Sequence, residues 1–214
     1  MSQTTQNFKA NWKKNLSNPK FKYLFLSSLI YFSIFPLKAD SFFQWIQQRN
    51  GIQLNDFILN AIEPSNNSHL IFGIIYVSVI YLLISLIKRP KDFIVFAWAF
   101  NIETTFRFLC IYFIPLNPPF DLVDLHDPLA EIFIYGENLA ITKDLFFSGH
   151  TATMIFVCYF VVKPWEKIGA YLLTALLIAL LLIQHIHYSI DILGAFFFTA
   201  LSIGISKKLI TYEE

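Results

Sequence analysis

Two short stretches of this chain hold the side chains able to do acid–base or nucleophilic chemistry. One runs Asp144-Leu145-Phe146-Phe147-Ser148-Gly149-His150-Thr151, the other His185-Ile186-His187-Tyr188-Ser189-Ile190-Asp191. His187 and Asp191 are four residues apart, which on a helix places them on one face. A carboxylate there accepts the Nδ1–H of the imidazole and leaves Nε2 free as a nucleophile or base. Ser148-Gly149 ahead of an apolar run predicts a helix start, where backbone N–H groups and the positive dipole end suit a phosphate. His150 opens that same helix and is placed to protonate a leaving oxygen. Arg107 lies inside another apolar run, and its planar fork matches a phosphate. Glu103 is four residues earlier, so a structural ion pair competes with that reading, and Glu103 can also orient Arg107 for it.

Each of these residues has a plainer reading. Asp191 alone reads as a helix cap, and Ser148-Gly149 as an ordinary helix start. His69, His126 and His185 read as polar anchors at a membrane interface. The plain reading weakens for His150, His187 and Asp191 together, because ionisable groups at membrane depth are costly and need a partner or a purpose.

The setting is a membrane. Of 214 residues, 56% are hydrophobic and 14% charged, with a mean hydropathy of +0.54. A soluble domain carries about 25% charged residues. Several apolar runs approach or exceed the roughly 18 residues that a bilayer span requires. We expect an all-α, six-transmembrane-helix bundle, with spans at 21–37, 69–87, 92–115, 149–162, 168–187 and 189–206. The fourth span is short for a bilayer. Residues 1–20 read as a basic tail, 21–206 as the membrane domain and 207–214 as a second tail. The run from Tyr23 to Leu37 reads as an uncleaved first span, because Pro36, Lys38 and Asp40 stand where a small-residue cleavage site would be.

Basic residues set the expected orientation. Lys9, Lys13, Lys14, Lys20 and Lys22 precede the first span, Lys88, Arg89 and Lys91 follow the second, Lys163 and Lys167 follow the fourth, and Lys207 and Lys208 follow the sixth. The alternate loops hold only Lys38, Arg49 and Lys143, with Asp121, Asp124, Asp127, Glu131, Glu137 and Asp144. Positive residues stay inside, so both termini are expected in the cytoplasm and the two polar stretches on the opposite face. The net charge of +1 favours no nucleic-acid partner. Cys110 and Cys158 lie in apolar runs and read as small buried hydrophobes. Asn66-Asn67-Ser68 reads as a glycosylation acceptor, relevant only in a secretory pathway.

The stretch Asp144 to Thr151, followed by His187-Tyr188-Ser189-Ile190-Asp191, resembles the two C-terminal motifs of the sphingomyelin synthases, a Ser-Gly-His-Thr and a His-Tyr-Ser/Thr-x-Asp. Arg107 with Tyr112 and Leu116 is similar to that family's third-span motif, and Pro36-Leu37 with Asp40 to its proline-rich motif. The resemblance is to the sphingomyelin-synthase-like branch of the type 2 phosphatidic acid phosphatase superfamily. It implies six spans, a site near the non-cytosolic face and a His-His-Asp triad. By the same resemblance His187 is the nucleophile that takes the phosphoryl headgroup, Asp191 orients it, and His150 protonates the departing diacylglycerol. Arg107, Ser148 and Gly149 are then the phosphate-binding group, supported by Glu103, Tyr112, Asp144 and Tyr188. The chain departs from the family at Thr142-Lys143, where the synthases carry Cys-Gly. It departs from ordinary phosphatidate phosphatases upstream of His187, where Leu181 or Leu182 stands in place of their arginine. Their Lys-rich motif ending in Arg-Pro has a counterpart only in Lys88-Arg89-Pro90, on the expected cytoplasmic side.

The expected function is therefore a membrane lipid phosphotransferase or phosphoesterase. Its donor is a phospholipid and its acceptor ceramide, diacylglycerol or water, with no metal or cofactor needed by the mechanism. A bacterial inner membrane, with the site facing outward, is the expected location. Two other classes compete: a catalytically silent lipid-binding or scaffolding relative, and a haem protein with His150 and His187 as axial ligands. The haem reading leaves Asp191 and Ser148-Gly149 without a role.

Overall fold

The computed structural model describes residues 3–125 and 141–210. His126, Asp127, Glu131 and Glu137 lie outside the described residues, as does the end of the C-terminal tail. Seven α-helices follow in order among the described residues: α1 Gln3–Leu16, α2 Pro19–Gln48, α3 Ser68–Ile87, α4 Pro90–Phe113, α5 Gly149–Phe160, α6 Pro164–Ile183 and α7 Ser189–Leu209. Four of them, α3, α4, α6 and α7, are long and apolar enough to cross a membrane. Their outward faces carry exposed Val77, Ile80, Leu172, Leu193 and Phe197, an apolar surface that water would not tolerate and lipid would. These features mark an integral membrane protein.

The other two expected spans differ. Helix α5 has 12 residues, about 18 Å at 1.5 Å per residue, against a hydrocarbon core of about 30 Å. Helix α2 has length to spare, but Ser27, Ser28, Ser33 and the flanking lysines dilute its apolar run. Nor does it stop near Leu37: it continues through Pro36 to Gln48. Ala39, Phe43 and Ile46 explain why. Their helical spacing buries one stripe against Ile111 and Phe108 of α4, with Phe42 stacked on Phe108 at 4.5 Å.

The expected basic tail is also partly structured. Helix α1 is docked by Trp12, whose indole N–H donates to the Ile87 carbonyl at 2.6 Å while its ring meets Phe21, Phe25 and Phe93 edge-on. Asn18 then caps α2 by accepting from the amides of Lys20 and Phe21, and Pro19 occupies the first helical position.

The main core lies between α3, α5, α6 and α7. Ile71, Ile75, Leu82 and Leu86 form one helical stripe on α3, facing Met154, Val157, Leu177, Leu181 and Ile203. Since lipid is as apolar as these side chains, polar bonds between helices matter as well. Ser206 Oγ donates to Val95 O at 2.7 Å, Asn101 Nδ2 to Ser28 O at 2.9 Å, and Trp98 Nε1 to Leu24 O at 3.0 Å. Buried Cys158 meets the Thr174 hydroxyl at 3.2 Å, so it is one of these contacts as well as a packing residue. Each such bond contributes on the order of 0.6–2 kcal/mol.

At one end of the bundle the connecting loops lock together. Ile52 pairs with Leu116 in a bridge, through Ile52 N to Pro115 O and Asn117 N to Ile52 O, both 2.9 Å. Gly51 makes this possible, because a Cβ there would lie 2.5 Å from the Leu116 carbonyl carbon. Helix α6 stops at Ile183 rather than running on to His187. The His185 amide bonds Leu182 O at 3.1 Å, the Ile186 amide bonds Leu181 O at 3.2 Å, and His185 takes the left-handed conformation, φ 55°. That is a Schellman stop with histidine where glycine is usual.

Candidate active site

The two polar stretches converge at this looped end, each carried by the start of a helix. Ser148 caps α5, its Oγ accepting from the Thr151 amide at 3.3 Å. Tyr188 stands before α7, and Asp191 closes a capping box by accepting from the Tyr188 amide at 2.9 Å. The Ser148 amide donates to the Asp191 carbonyl at 3.2 Å, joining the two stretches directly. That amide is thus engaged within the protein, and the Ser148 side chain caps α5.

His187 is not on a helix. It stands in the turn before α7, and the capping geometry of Asp191 brings the pair together: Nδ1 lies 3.2 Å from Asp191 Oδ2. Both side chains are almost wholly buried. A carboxylate facing Nδ1 favours the proton on that nitrogen and an unprotonated Nε2. The His150 ring, on the first turn of α5, is centred 5.8 Å from that of His187 and meets the edge of Phe72 on its other side.

Arg107 reaches this cluster from α4. Its Nε donates to Phe147 O at 3.1 Å and its Nη2 to the Asp144 carboxylate. The guanidinium lies flat against Gly149, where an added Cβ would come within 2.7 Å of Cζ and 2.9 Å of Nε. The guanidinium and the positive end of α5 are therefore in contact, with the Asp144 carboxylate supplying negative charge beside them. Glu103, buried one turn along α4, is close enough to Arg107 and Asp144 to interact electrostatically. Several buried polar atoms here have no hydrogen-bond partner among the described residues: His150 Nδ1, Asp191 Oδ1, Asp144 Oδ1, Thr151 Oγ1 and Glu103 Oε1. Such orphans are uncommon in a folded protein, and here they gather around the His187–Asp191 pair and Arg107.

The remaining expected residues fall elsewhere. Tyr112 is exposed and stacks on Trp45 at 5.4 Å. Tyr188 is buried, and its hydroxyl donates to Asn117 O at 2.9 Å and accepts from the Leu54 amide at 3.2 Å. Burial holds that hydroxyl above its usual range, and the Asp191 and Asp56 carboxylates add to the shift. His185 uses both ring nitrogens on backbone carbonyls, those of Phe120 and Ile62, each 3.1 Å away. His69, Asp121 and Asp124 are exposed. Arg89 donates to Phe160 O at 2.7 Å, at the far end of the helix that begins beside His150, so Lys88-Arg89-Pro90 is about 15 Å or more from the cluster.

Two supporting residues escaped the sequence. Asp56, in the loop after α2, accepts from the Ser189 amide at 2.6 Å and from the Ser189 hydroxyl at 3.0 Å, capping α7 from outside. Partial burial works to raise its carboxyl, but bonds from Ser189, Ile58 and Leu59 outweigh this and hold it below its usual range. Gln47, near the end of α2, bonds the Thr142 hydroxyl at 2.7 Å and accepts from the Lys143 amide at 3.3 Å, pinning the stretch that leads to Asp144. Both partnerships cross about a hundred residues of chain, and no local pattern announces them.

A bundle of apolar helices with a buried His–Asp pair, a second histidine and an arginine at one end defines a membrane protein with a polar site near its surface. Residues 143–208, from Lys143 to almost the end of α7, match the family model described as PAP2 superfamily C-terminal. That stretch is under a third of the chain, and it makes this part of the protein similar to the C-terminal part of that superfamily. No curated protein and no solved structure matches the chain.

Proposed function

We propose that this protein is an integral membrane lipid phosphotransferase or lipid phosphoesterase of the sphingomyelin-synthase-like kind, working through a covalent phosphohistidine at His187. The observation that carries the reading is the joint placement of a carboxylate on His187 Nδ1, a second imidazole 5.8 Å away, and a guanidinium against the first turn of α5.

In the first step the lone pair of His187 Nε2 attacks the phosphorus of a phospholipid. The bond from phosphorus to the glycerol oxygen breaks, and His150 gives that oxygen a proton, releasing diacylglycerol. Asp191 holds the Nδ1–H and stabilises the charge that the ring acquires. Arg107 and the amides of the first turn of α5 hold the phosphate oxygens. In the second step the oxygen of a lipid alcohol or of water attacks phosphorus, His150 takes its proton, and the P–N bond breaks. Ceramide or diacylglycerol as acceptor makes the protein a transferase; water makes it a hydrolase.

The same reading counts α2 and α5 as two further spans, the latter tilted or entering from the surface, which makes six. It puts both termini in the cytoplasm and the site on the other face, in a bacterial inner membrane. The basic residues on the loops and tails at the end opposite the site support that orientation.

The test is turnover of headgroup-labelled phospholipids by purified protein in mixed micelles, with and without ceramide or diacylglycerol, beside His187→Ala. Expected are label on the added lipid alcohol or in a soluble phosphorylated headgroup, and an acid-labile, alkali-stable label on the protein, all lost in the variant. Release that persists in His187→Ala would sink the mechanism. No release from any lipid would leave a lipid-binding relative without turnover.

A further inference from the structure

One turn of α4 beyond Arg107, at the outermost part of the looped end, two more cations share a small cleft. It is a shallow notch lined by Ile46, Arg49, Ile111, Pro115, Leu116 and Lys143, open to the outside and itself roomy enough for about one water-sized group. Arg49, which ends α2, lies over the Trp45 ring at 4.6 Å and faces the Tyr112 ring at 5.8 Å, and those two rings stack on each other. Its Nη1 makes only a long bond, 3.4 Å, to Ile111 O. Lys143 sends its ammonium to the Arg49 carbonyl. Among the described residues, neither cation is paired with a carboxylate.

Position makes this cleft more than a pair of interfacial cations. Ile111 follows Arg107 by four residues, so the cleft floor stands about 6 Å further along α4. Lys143 immediately precedes Asp144, the carboxylate on Arg107, and Gln47 anchors the 142–143 backbone to α2. The cleft therefore adjoins the proposed phosphate position on its outward side, where the headgroup of a bound phospholipid would extend. Two cations held beside an aromatic wall, with neutral backbone carbonyls as their partners, form a ready anion site of low reorganisation cost.

We propose that the Arg49–Lys143 cleft is a headgroup subsite that takes a second anionic group, a carboxylate or phosphate, of the donor phospholipid. This rests on the lipid-phosphoester reading above and narrows its donor to phospholipids whose headgroup carries a charge beyond the phosphodiester. Trp45 and Tyr112 hold Arg49 in place, and Lys143 ties the subsite to Asp144 and so to Arg107.

The test is equilibrium binding, so that it does not depend on turnover. Full-length His187→Ala protein in detergent is titrated calorimetrically with dihexanoyl phosphatidylserine and with dihexanoyl phosphatidylcholine. The serine lipid is expected to bind about tenfold more tightly, the value of one charge-assisted contact near a surface. The preference is expected to vanish in the Arg49→Gln/Lys143→Gln double variant and to shrink in Lys143→Gln, whose site is at a loop and whose folding is checked by thermal unfolding. Equal affinities, or a preference that survives the double variant, would overturn the proposal. So would inorganic phosphate binding to the same two residues while the two lipids bind alike, since the anion would then be a separate molecule. If the preference is present and the parent protein turns over no lipid, the subsite stands and the catalytic reading fails.

Discussion

The backbone amide of Ser148 donates to the carbonyl of Asp191 across 3.2 Å, and this single bond joins two helix starts that lie 43 residues apart in the chain. Through it, the helix that bears His150 and the helix that bears Asp191 share one origin. A displacement of either start moves both imidazoles relative to each other. The site is thus assembled from the capped ends of α5 and α7, and its precision depends on those caps.

Asp191→Asn should keep most of the fold, since an amide can still accept from the Tyr188 N–H. It should lower kcat by roughly 10²–10⁴-fold, because the carboxylate that fixes the tautomer and stabilises the charged ring is gone. Turnover of a labelled phospholipid measures this. A variant as fast as the parent would remove Asp191 from the mechanism.

Gly149→Ala puts a methyl group 2.7 Å from Arg107 Cζ, so the guanidinium must leave its seat. We expect kcat/KM to fall by about 10–100-fold, the usual cost of a misplaced phosphate contact. Arg107→Ala should cost a similar factor, and the double variant little more than either alone. Additive losses would mean that Gly149 acts independently of Arg107.

The Asp56 carboxyl is held below its usual value of 3.8 chiefly by its bonds from Ser189, working against burial. A depressed folded-state value contributes stability that is present above the unfolded value and lost as pH falls through the folded one. The wild-type melting temperature should therefore drop below about pH 4, and Asp56→Asn should show a shallower drop there. At pH 7 the variant should melt lower than the wild type. Identical pH profiles would show that Asp56 does not support the α7 start.

Trp12→Ala removes the indole bond to Ile87 O and three edge-on ring contacts. We expect a loss of about 2–3 kcal/mol, part of the cost of a fully buried tryptophan because Trp12 is only half-buried. Thermal unfolding in detergent reads this. Limited proteolysis should cut the variant first within α1; unchanged resistance there would mean that α1 is held by other contacts.

The apolar runs by themselves determined where α3, α4, α6 and α7 lie, because the bilayer demands a continuous stretch of such residues and a helix satisfies its own backbone. The 69–87 expectation meets a helix at Ser68–Ile87, and the 189–206 expectation one at Ser189–Leu209. His187 and Asp191 are also near in sequence, but not on a shared helix face as their spacing suggested: His187 lies in the turn before α7, and the cap made by Asp191 brings them together. Tertiary structure decided what depends on partners distant in the chain. Helix α2 runs on past Pro36 because Ile111 and Phe108 receive its second stripe, and α1 is docked because Ile87 and Phe93 receive Trp12. Arg107 takes Asp144 and the face of Gly149, and Ser189 takes Asp56, by contacts whose partners no periodicity links. A hydrophobic pattern encodes which face of an element turns inward, but the polar groups it meets there are fixed only when the helices pack and each buried donor must find an acceptor.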